Sequence, residues 1–478
     1  MRMGRLAVAA AAVAGLALAT APSGAATGGL LPAVTVGVDG NEPLVRAAPD
    51  GTLYISALQH LYASTDGGAH WHQSAGSPYN TTLNQNSDSS IQVDERNRLY
   101  MTFDWPYAGT TAVCTSDDHA VSLQCNPAVL PGGTDRMWLA VKDATTSYLV
   151  SNEALYQTIF STSTDRGSTY VPKQTAGTLA DPTDGPLLVS PKTGAVVQPI
   201  IDNNTNATAT TNFESGPAVL RVYDPASVTP VAVTTYPIPL TAGGALPGAA
   251  YGRDGTLYVA TEKAFRTGGA ITDVGVQVAR STDDGKTWKL LPTLPGTTTG
   301  TSTFVAIGAG RGGHVGLVYY RAHVAGDPGA VPATTRWDAV YSETVDALAA
   351  NPHWTTTVVD TGVHTGVICA TAGCIGSGRF AGDFLDAGFD RNDRPLVVWM
   401  RNSPKDATVN EIRFTTSSAA ISPPRTIFKP RPASHPSHSS SLPRTGLTRM
   451  VPIVALAVVG VALLLRRRAT RASGPARP

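Results

Sequence analysis

Apolar and polar residues alternate in short runs through the middle of the chain. The clearest run is "TLYISAL", from Thr52 to Leu58. A period of two marks a strand with one face buried. Weaker versions stand at "NRLYMTFD", "SYLVSNEALY", "GAVVQPII", "GTLYVATE", "GHVGLVYY" and "RPLVVWM". Anchored on Leu53, Leu99, Tyr148, Val196, Leu257, Val315 and Leu396, the runs lie about 46 to 81 residues apart, a spacing that suits several short strands per unit. The widest gap holds the insertion "DTGVHTGVICATAGC". The pattern predicts an all-β fold of seven four-stranded units over residues 33–417, with six units as the alternative. The last unit supplies only "DFLDAGFD", "RPLVVWM" and "NEIRFTT". The leading segment Ala33–Gly40, "AVTVGVDG", is expected to be its fourth strand and so to remove an open sheet edge.

One octapeptide is spelled three times: "STDGGAHW" at Ser64–Trp71, "STDRGSTY" at Ser163–Tyr170 and "STDDGKTW" at Ser281–Trp288. An aspartate (Asp66, Asp165, Asp283) can bond backbone N–H groups two residues on and close a turn. A glycine two positions later (Gly68, Gly167, Gly285) supplies a positive φ. The leading Ser64, Ser163 or Ser281 can cap the same turn. Trp71, Tyr170 or Trp288 then opens the next strand and packs beneath it. Each copy reads as a fastened hairpin turn, a structural device and not a catalytic one. His70 and His72 stand two apart and would share a strand face, where packing or solvent exposure outweighs metal binding.

Both chain ends carry other signals. Arg2 and Arg5 precede an apolar run, Leu6–Ala19, and small residues follow at Ser23–Ala26. That layout is a secretory signal peptide over residues 1–26. Residues 418–441 are rich in Pro and Ser and read as an extended, semi-stiff linker that holds His435 and His438 as solvated residues. Residues 442–478 open with "LPRTG", continue with an apolar stretch at about 450–465 and end on a basic tail beginning Arg466–Arg468. In that order the elements closely resemble a sortase sorting signal of the LPxTG type. The resemblance implies recognition of Leu442, Pro443, Thr445 and Gly446, cleavage between Thr445 and Gly446, and transfer to peptidoglycan. Sortase and peptidoglycan are then partners, the membrane is met only through the tail before sorting, and the body is extracellular and cell wall-anchored. A single-pass membrane anchor facing outward is the alternative.

Composition changes this picture little. The formal net charge is +1, which argues for no nucleic-acid partner. The four cysteines suit an oxidising compartment and form two local pairs, Cys114 with Cys125 and Cys369 with Cys374. Three pairings are open to four cysteines, and the local one closes the shortest loops. A zinc site lacks neighbours at the usual spacing.

The octapeptides match the Asp-box, or BNR, repeat, and with "GTDRMWLAV" and "GRFAGDFLDAGFDRNDRPLVVW" the chain from about Glu42 to Ser417 resembles the sialidase-like β-propellers. Members with activity hold a carboxylate with three arginines and use a tyrosine nucleophile helped by a glutamate, with an aspartate as acid/base. The first arginine belongs to an Arg-Ile-Pro tripeptide ahead of a "GTL" strand. Here that place reads Asn41-Glu42-Pro43. A neutral Asn41 cannot make the bidentate, charge-assisted contact. Arg46 follows in a different register and does not take over the role. Glu262, Tyr319 and Tyr320, with Arg321 beside them, are catalytic candidates without a supporting motif.

Several blades open on an acid: Glu42, Asp88, Asp135, Asp184 and Asp383. Together with Arg136 and Arg379 they form a candidate ligand-binding ring at the channel mouth, suited to a basic group or to Ca²⁺ as a cofactor. The competing reading has each aspartate capping its own loop. The expected function is a secreted, wall-anchored, non-catalytic propeller that binds a glycan or protein at one end. An exo-acting, sialidase-like glycoside hydrolase with an altered site is the alternative.

Overall fold

The computed structural model describes residues 29–417, apart from 39, 59, 75–88, 106–109, 132–133, 154–157, 176–182, 202–214, 228–229, 293, 295–299, 369–379 and 381–384. The stretches read as signal peptide, linker and sorting signal lie outside the described residues, as does the pair Cys369 and Cys374.

The first strand, β1 (Val34–Val38), is set aside for the last blade. Blade 1 holds β2 (Pro43–Ala47), β3 (Leu53–Ala57), β4 (His60–Ser64) and β5 (His72–Gln73), from the axis outwards. Blade 2 holds β6 (Ser89–Val93), β7 (Leu99–Trp105), β8 (Thr110–Ser116) and β9 (Gln124–Pro131). Blade 3 holds β10 (Thr134–Val141), β11 (Ser147–Glu153), β12 (Thr158–Ser163) and β13 (Val171–Gln174). In blade 4 the inner position is split between β14 (Thr183–Asp184) and β15 (Leu188–Val189), followed by β16 (Val196–Ile201), β17 (Ser215–Tyr223) and the first part of β18 (Val233–Tyr251). The end of β18 is the inner strand of blade 5, which adds β19 (Leu257–Thr267), β20 (Ala270–Ser281) and β21 (Lys289–Leu290). Blade 6 holds β22 (Ser302–Ala309), β23 (Val315–Ala322), β24 (Arg336–Thr344) and β25 (Thr355–Thr365). Blade 7 holds β26 (Asp386–Phe389), β27 (Pro395–Asn402) and β28 (Asn410–Thr416), with β1 as its outer strand.

The chain is therefore an all-β propeller of seven antiparallel blades, and the six-unit alternative falls away. The seven anchor residues of the alternating runs all lie in the second strand of a blade. Alternation is sharpest there because one face packs on each neighbouring blade. The ring closes as the leading segment requires: Val34 pairs with Phe414 and Val38 with Glu411.

Apolar packing lies in wedges between blades. The closing wedge joins Val45, Ile55 and Tyr62 of blade 1 to Leu396, Val398 and Phe414 of blade 7, all buried. Each such side chain contributes about 1.5–3 kcal/mol by leaving water. Cys114 and Cys125 face each other across β8 and β9 and are joined by a disulfide.

The octapeptides connect the third strand of a blade to its fourth. In the copy at Ser281, the serine Oγ donates to Asp283 Oδ1 (2.8 Å) and accepts the Gly285 N–H (2.8 Å), while Asp283 Oδ1 accepts the Thr287 N–H (2.9 Å). The same bonds recur at Ser163 and Ser64. The aspartate thus reaches four residues on, not two, and the serine closes on the glycine. The two residues before the last bond are left-handed: φ is 55° at Asp284 and 87° at Gly285.

A fourth copy stands in blade 2. Ser116 Oγ donates to Asp118 Oδ1 (2.7 Å) and accepts the Ala120 N–H (3.0 Å), and Asp118 accepts the Ser122 N–H (2.9 Å). His119 and Ala120 hold the left-handed pair at φ 60° and 63°. A looser fifth version in blade 6 has Thr344 bonded to Asp346 (2.6 Å), whose carboxylate takes the N–H of His353 after a longer excursion (2.9 Å).

These turns are also joints. A Cβ at Gly68 would overlap the Phe414 ring of blade 7, one at Gly167 would sit 2.9 Å from Tyr100 of blade 2, and one at Gly285 would overlap Leu220 of blade 4. Each turn is pressed against the preceding blade.

The turn acids make stability sensitive to acid. Burial alone would raise Asp165 and Asp283, but hydrogen bonds from Thr169 and Ser163, and from Thr287 and Ser281, outweigh it and leave both below the ordinary 3.8. Asp66 and Asp118 are lowered in the same way. A depressed folded pKa gives stability that is present above the unfolded value and lost as pH falls through the folded one. The melting temperature should therefore be flat with respect to these groups above about pH 5 and fall steadily below about pH 4. A fluorimetric melt across that range checks it, and a melting temperature unchanged down to about pH 2.5 would count against the bonded turns.

Candidate functional site

The first strand of every blade faces the axis, and together these strands enclose a channel of about 300 Å³. Small residues from three different blades, Ala140, Ala250 and Gly308, line it. Its polar side chains cluster on one side. Arg46 Nη1 lies 2.5 Å from Asp386 Oδ2, and Arg46 Nε donates to Gln92 Oε1 (3.3 Å). Asp386 Oδ2 also accepts the Val45 N–H (2.8 Å), so the pair stitches blade 7 to blade 1. Burial pushes the Asp386 carboxyl up, against the Arg46 charge and the Val45 N–H. Arg46 thus ends inside the channel as half of an ion pair, not as a free carboxylate clamp. Asp386 was missed in the sequence because Asp383, three residues earlier, looked like the start of the blade.

Of the acids read as a ring, Glu42 and Asp184 are the two whose side chains are described, and they stand on blades 1 and 4. Glu42 precedes β2, is buried, and holds a left-handed φ of 54°. Asp184 is buried in β14 on a non-adjacent blade, 3.8 Å from Arg221 Nη1. Asp135 and Arg136 lie in β10, where Asp135 pairs with Asn152. Asp88, Arg379 and Asp383 lie outside the described residues. Among the described residues no group of three or more His, Cys, Asp or Glu is placed to hold a metal ion.

The catalytic candidates are interior. Glu262 Oε1 accepts from Thr303 Oγ1 (3.2 Å) and from the Phe304 N–H, where Phe304 has a positive φ of 59°. The carboxylate thereby holds an irregular inner strand of the next blade. Tyr319 OH lies 3.0 Å from Ser342 Oγ. Tyr320 OH donates to the Met400 carbonyl (2.8 Å) and accepts the Met400 N–H (3.1 Å), tying blade 6 to blade 7. Burial pushes both phenols above their ordinary value, Tyr320 furthest. Neither side chain presents an ionisable oxygen to solvent, and each is already engaged in joining strands.

A polar chain no motif announced lies where the inner strands begin, across blades 6, 7 and 1. His364 Nδ1 is 2.7 Å from Asn402 Oδ1. Asn402 Nδ2 donates to Asn410 Oδ1 (3.2 Å), and Asn410 Nδ2 donates to Asn41 Oδ1 (2.6 Å) and to the Phe380 carbonyl (3.2 Å). The His364 ring stacks on Phe380 at 4.3 Å and 15°. Burial lowers its pKa, against the contacts with Asn402 and Val367. Beside the chain, Asp360 accepts from Arg401 Nη1 (2.8 Å) and Trp399 Nε1 (3.1 Å). Amide groups in such a row offer neutral donors and acceptors next to an aromatic ring. Asn41, which stands where the family resemblance expects a cation, is one end of this row.

No protein-family model and no curated protein sequence matches the chain significantly. Solved structures with a similar fold include a Hadza microbial sialidase (11% identity, covering 77% of this chain and 73% of that one, TM-score 0.40). The NanB sialidase of Streptococcus pneumoniae is similar at 11% identity, 81% and 71% coverage and a TM-score of 0.41. An alpha-L-arabinanase of Penicillium chrysogenum is similar at 13% identity, 70% and 98% coverage and a TM-score of 0.41. At these identities and TM-scores the likenesses carry no argument, and the seven blades rest on the strand pairing itself.

Proposed function

We propose that the chain is a secreted propeller, held at the cell wall by its C-terminal signal, that binds a glycan or protein ligand without chemical turnover. The ligand meets the blade ends around Asn41, Asn410, Asn402 and His364. The wiring of Asn41 carries this reading. A side chain whose carbonyl is fixed by a neighbouring amide supports recognition of neutral polar groups and offers no charge to a substrate carboxylate. The burial of Tyr319, Tyr320 and Glu262 supports the absence of a nucleophile at the same end.

The purified protein should bind members of a glycan array or an extracellular protein panel, and Asn410→Ala should weaken that binding about tenfold through the loss of paired hydrogen bonds. Sialyl and arabinan reporters should remain intact. Turnover that disappears in Tyr319→Phe or Tyr320→Phe would replace this reading with the altered glycoside hydrolase. For the anchor, Thr445→Ala should release the protein from the wall fraction into the medium, and a wall fraction unaltered by that change would remove the sorting step.

A further inference from the structure

The turns that follow the inner strands of blades 5, 6 and 7 repeat one placement. Tyr251, Ala309 and Phe389 line the channel, and two residues beyond each stands an arginine: Arg253, Arg311 and Arg391. All three are exposed. Arg253 Nη1 (3.0 Å) and Arg311 Nη2 (3.1 Å) donate to the same oxygen, the Arg391 carbonyl. Arg253 Nη2 also donates to the Asp390 carbonyl, and Arg391 Nη1 donates to the Pro49 carbonyl of blade 1 (2.9 Å).

Two guanidinium groups sharing one acceptor are within about 6 Å of each other, a range at which like charges repel even at a protein surface. The acids nearby do not neutralise three cations. Asp393 Oδ1 is 3.8 Å from Arg253 Nη2, and its other oxygen accepts the Arg311 N–H (3.3 Å). Asp390 is held by Arg394 (2.6 Å), and Asp254 accepts the Thr256 N–H within its own turn (3.0 Å). The guanidinium donors now spend themselves on neutral carbonyls, and a charge-assisted partner binds such donors about twice as strongly.

We propose that Arg253, Arg311 and Arg391 form a site for a tetrahedral oxyanion, a phosphate or sulfate group, at the mouth of the channel where the inner strands end. This is the opposite end of the blades from the Asn41 row, so the site stands or falls independently of the ligand proposed there. The group is either free or carried on an anionic polymer.

The test is calorimetric titration of the purified protein with inorganic phosphate, sulfate and polyphosphate at about 10 mM ionic strength, where the Debye length is about 30 Å. Wild type should bind, Arg311→Gln should lose about tenfold or more, Arg311→Lys should lose less, and Lys405→Gln, exposed beyond β27 at the opposite end of blade 7, should bind nearly as wild type. Polyphosphate binding much tighter than phosphate and strongly salt-dependent identifies a polymer-borne group, whereas equal affinity per phosphate identifies the free ion; either supports the site. A melting curve without added anion separates binding from architecture. Relief of repulsion in Arg311→Gln should leave the melting temperature at low salt unchanged or higher. A lowered melting temperature together with undiminished phosphate binding would make the arginines cross-links between turns and overturn the proposal, as would wild-type protein that binds none of the three anions.

Discussion

Gly285→Val should destabilise the protein by about 3–5 kcal/mol, the sum of a left-handed backbone forced on a β-branched residue and an overpacked joint. The φ of Gly285 is 87°, and its missing Cβ leaves room for the Leu220 side chain of the preceding blade. Neither cost can relax alone, because shifting the turn breaks the bonds from Ser281 and Asp283. Ala120→Gly, in the fourth copy of the turn, should change stability by less than about 1 kcal/mol: relief of the left-handed strain offsets the lost buried methyl and the added freedom of the unfolded chain. Urea unfolding of the two variants checks both. A Gly285→Val protein that unfolds at the wild-type midpoint would mean that the turn does not press on blade 4.

Asp386→Ala should cost about 2–4 kcal/mol, at or below the range for breaking a buried ion pair, because Arg46 keeps 23% side-chain exposure and so some access to water. The loss leaves a half-buried guanidinium without its counter-charge and deprives the Val45 N–H of its acceptor. Arg46→Met combined with Asp386→Leu should recover much of it, since the charge that needed a partner is gone. A double-mutant cycle reads the coupling directly, with about 1 kcal/mol or more expected. Simple additivity of the two changes would show that the pair is not what joins blade 7 to blade 1.

Much of the ring was legible because blade periodicity is written in side chains. Leu53, Leu257 and Leu396 mark second strands through alternation, and the Val34–Val38 segment announced itself as a strand without a sheet of its own. The fourth turn was hidden because Ala120 stands where glycine is expected and Leu123 where an aromatic is expected. A left-handed alanine leaves no mark in sequence. The strand β18 was hidden for the opposite reason: Pro237, Pro239 and Pro247 argue against a strand. It persists because the chain passes from the outer edge of one blade to the inner edge of the next, and Pro247 falls within the irregularity between Gly243 and Gly248. The site was less legible. Asn41, Asn402, Asn410 and His364 are brought together from four separate segments, and nothing in the spacing of such residues predicts that they will meet. Acids before strands were visible, but visibility did not tell buried fastening from solvent-facing chemistry, which Glu42 and Asp184 needed burial to decide.

The closing pairing of β1 with β28 has a mechanical consequence. Ser417, the last described residue, follows β28 and is still bridged to Leu30, and β28 is bonded on one side to β27 and on the other to β1. Tension applied along that strand loads two ladders in shear at once, so many bonds must yield together before the strand slides. An outermost strand in that position would instead peel away one bond at a time. The last described strand is thus held on both sides against a pull along its length.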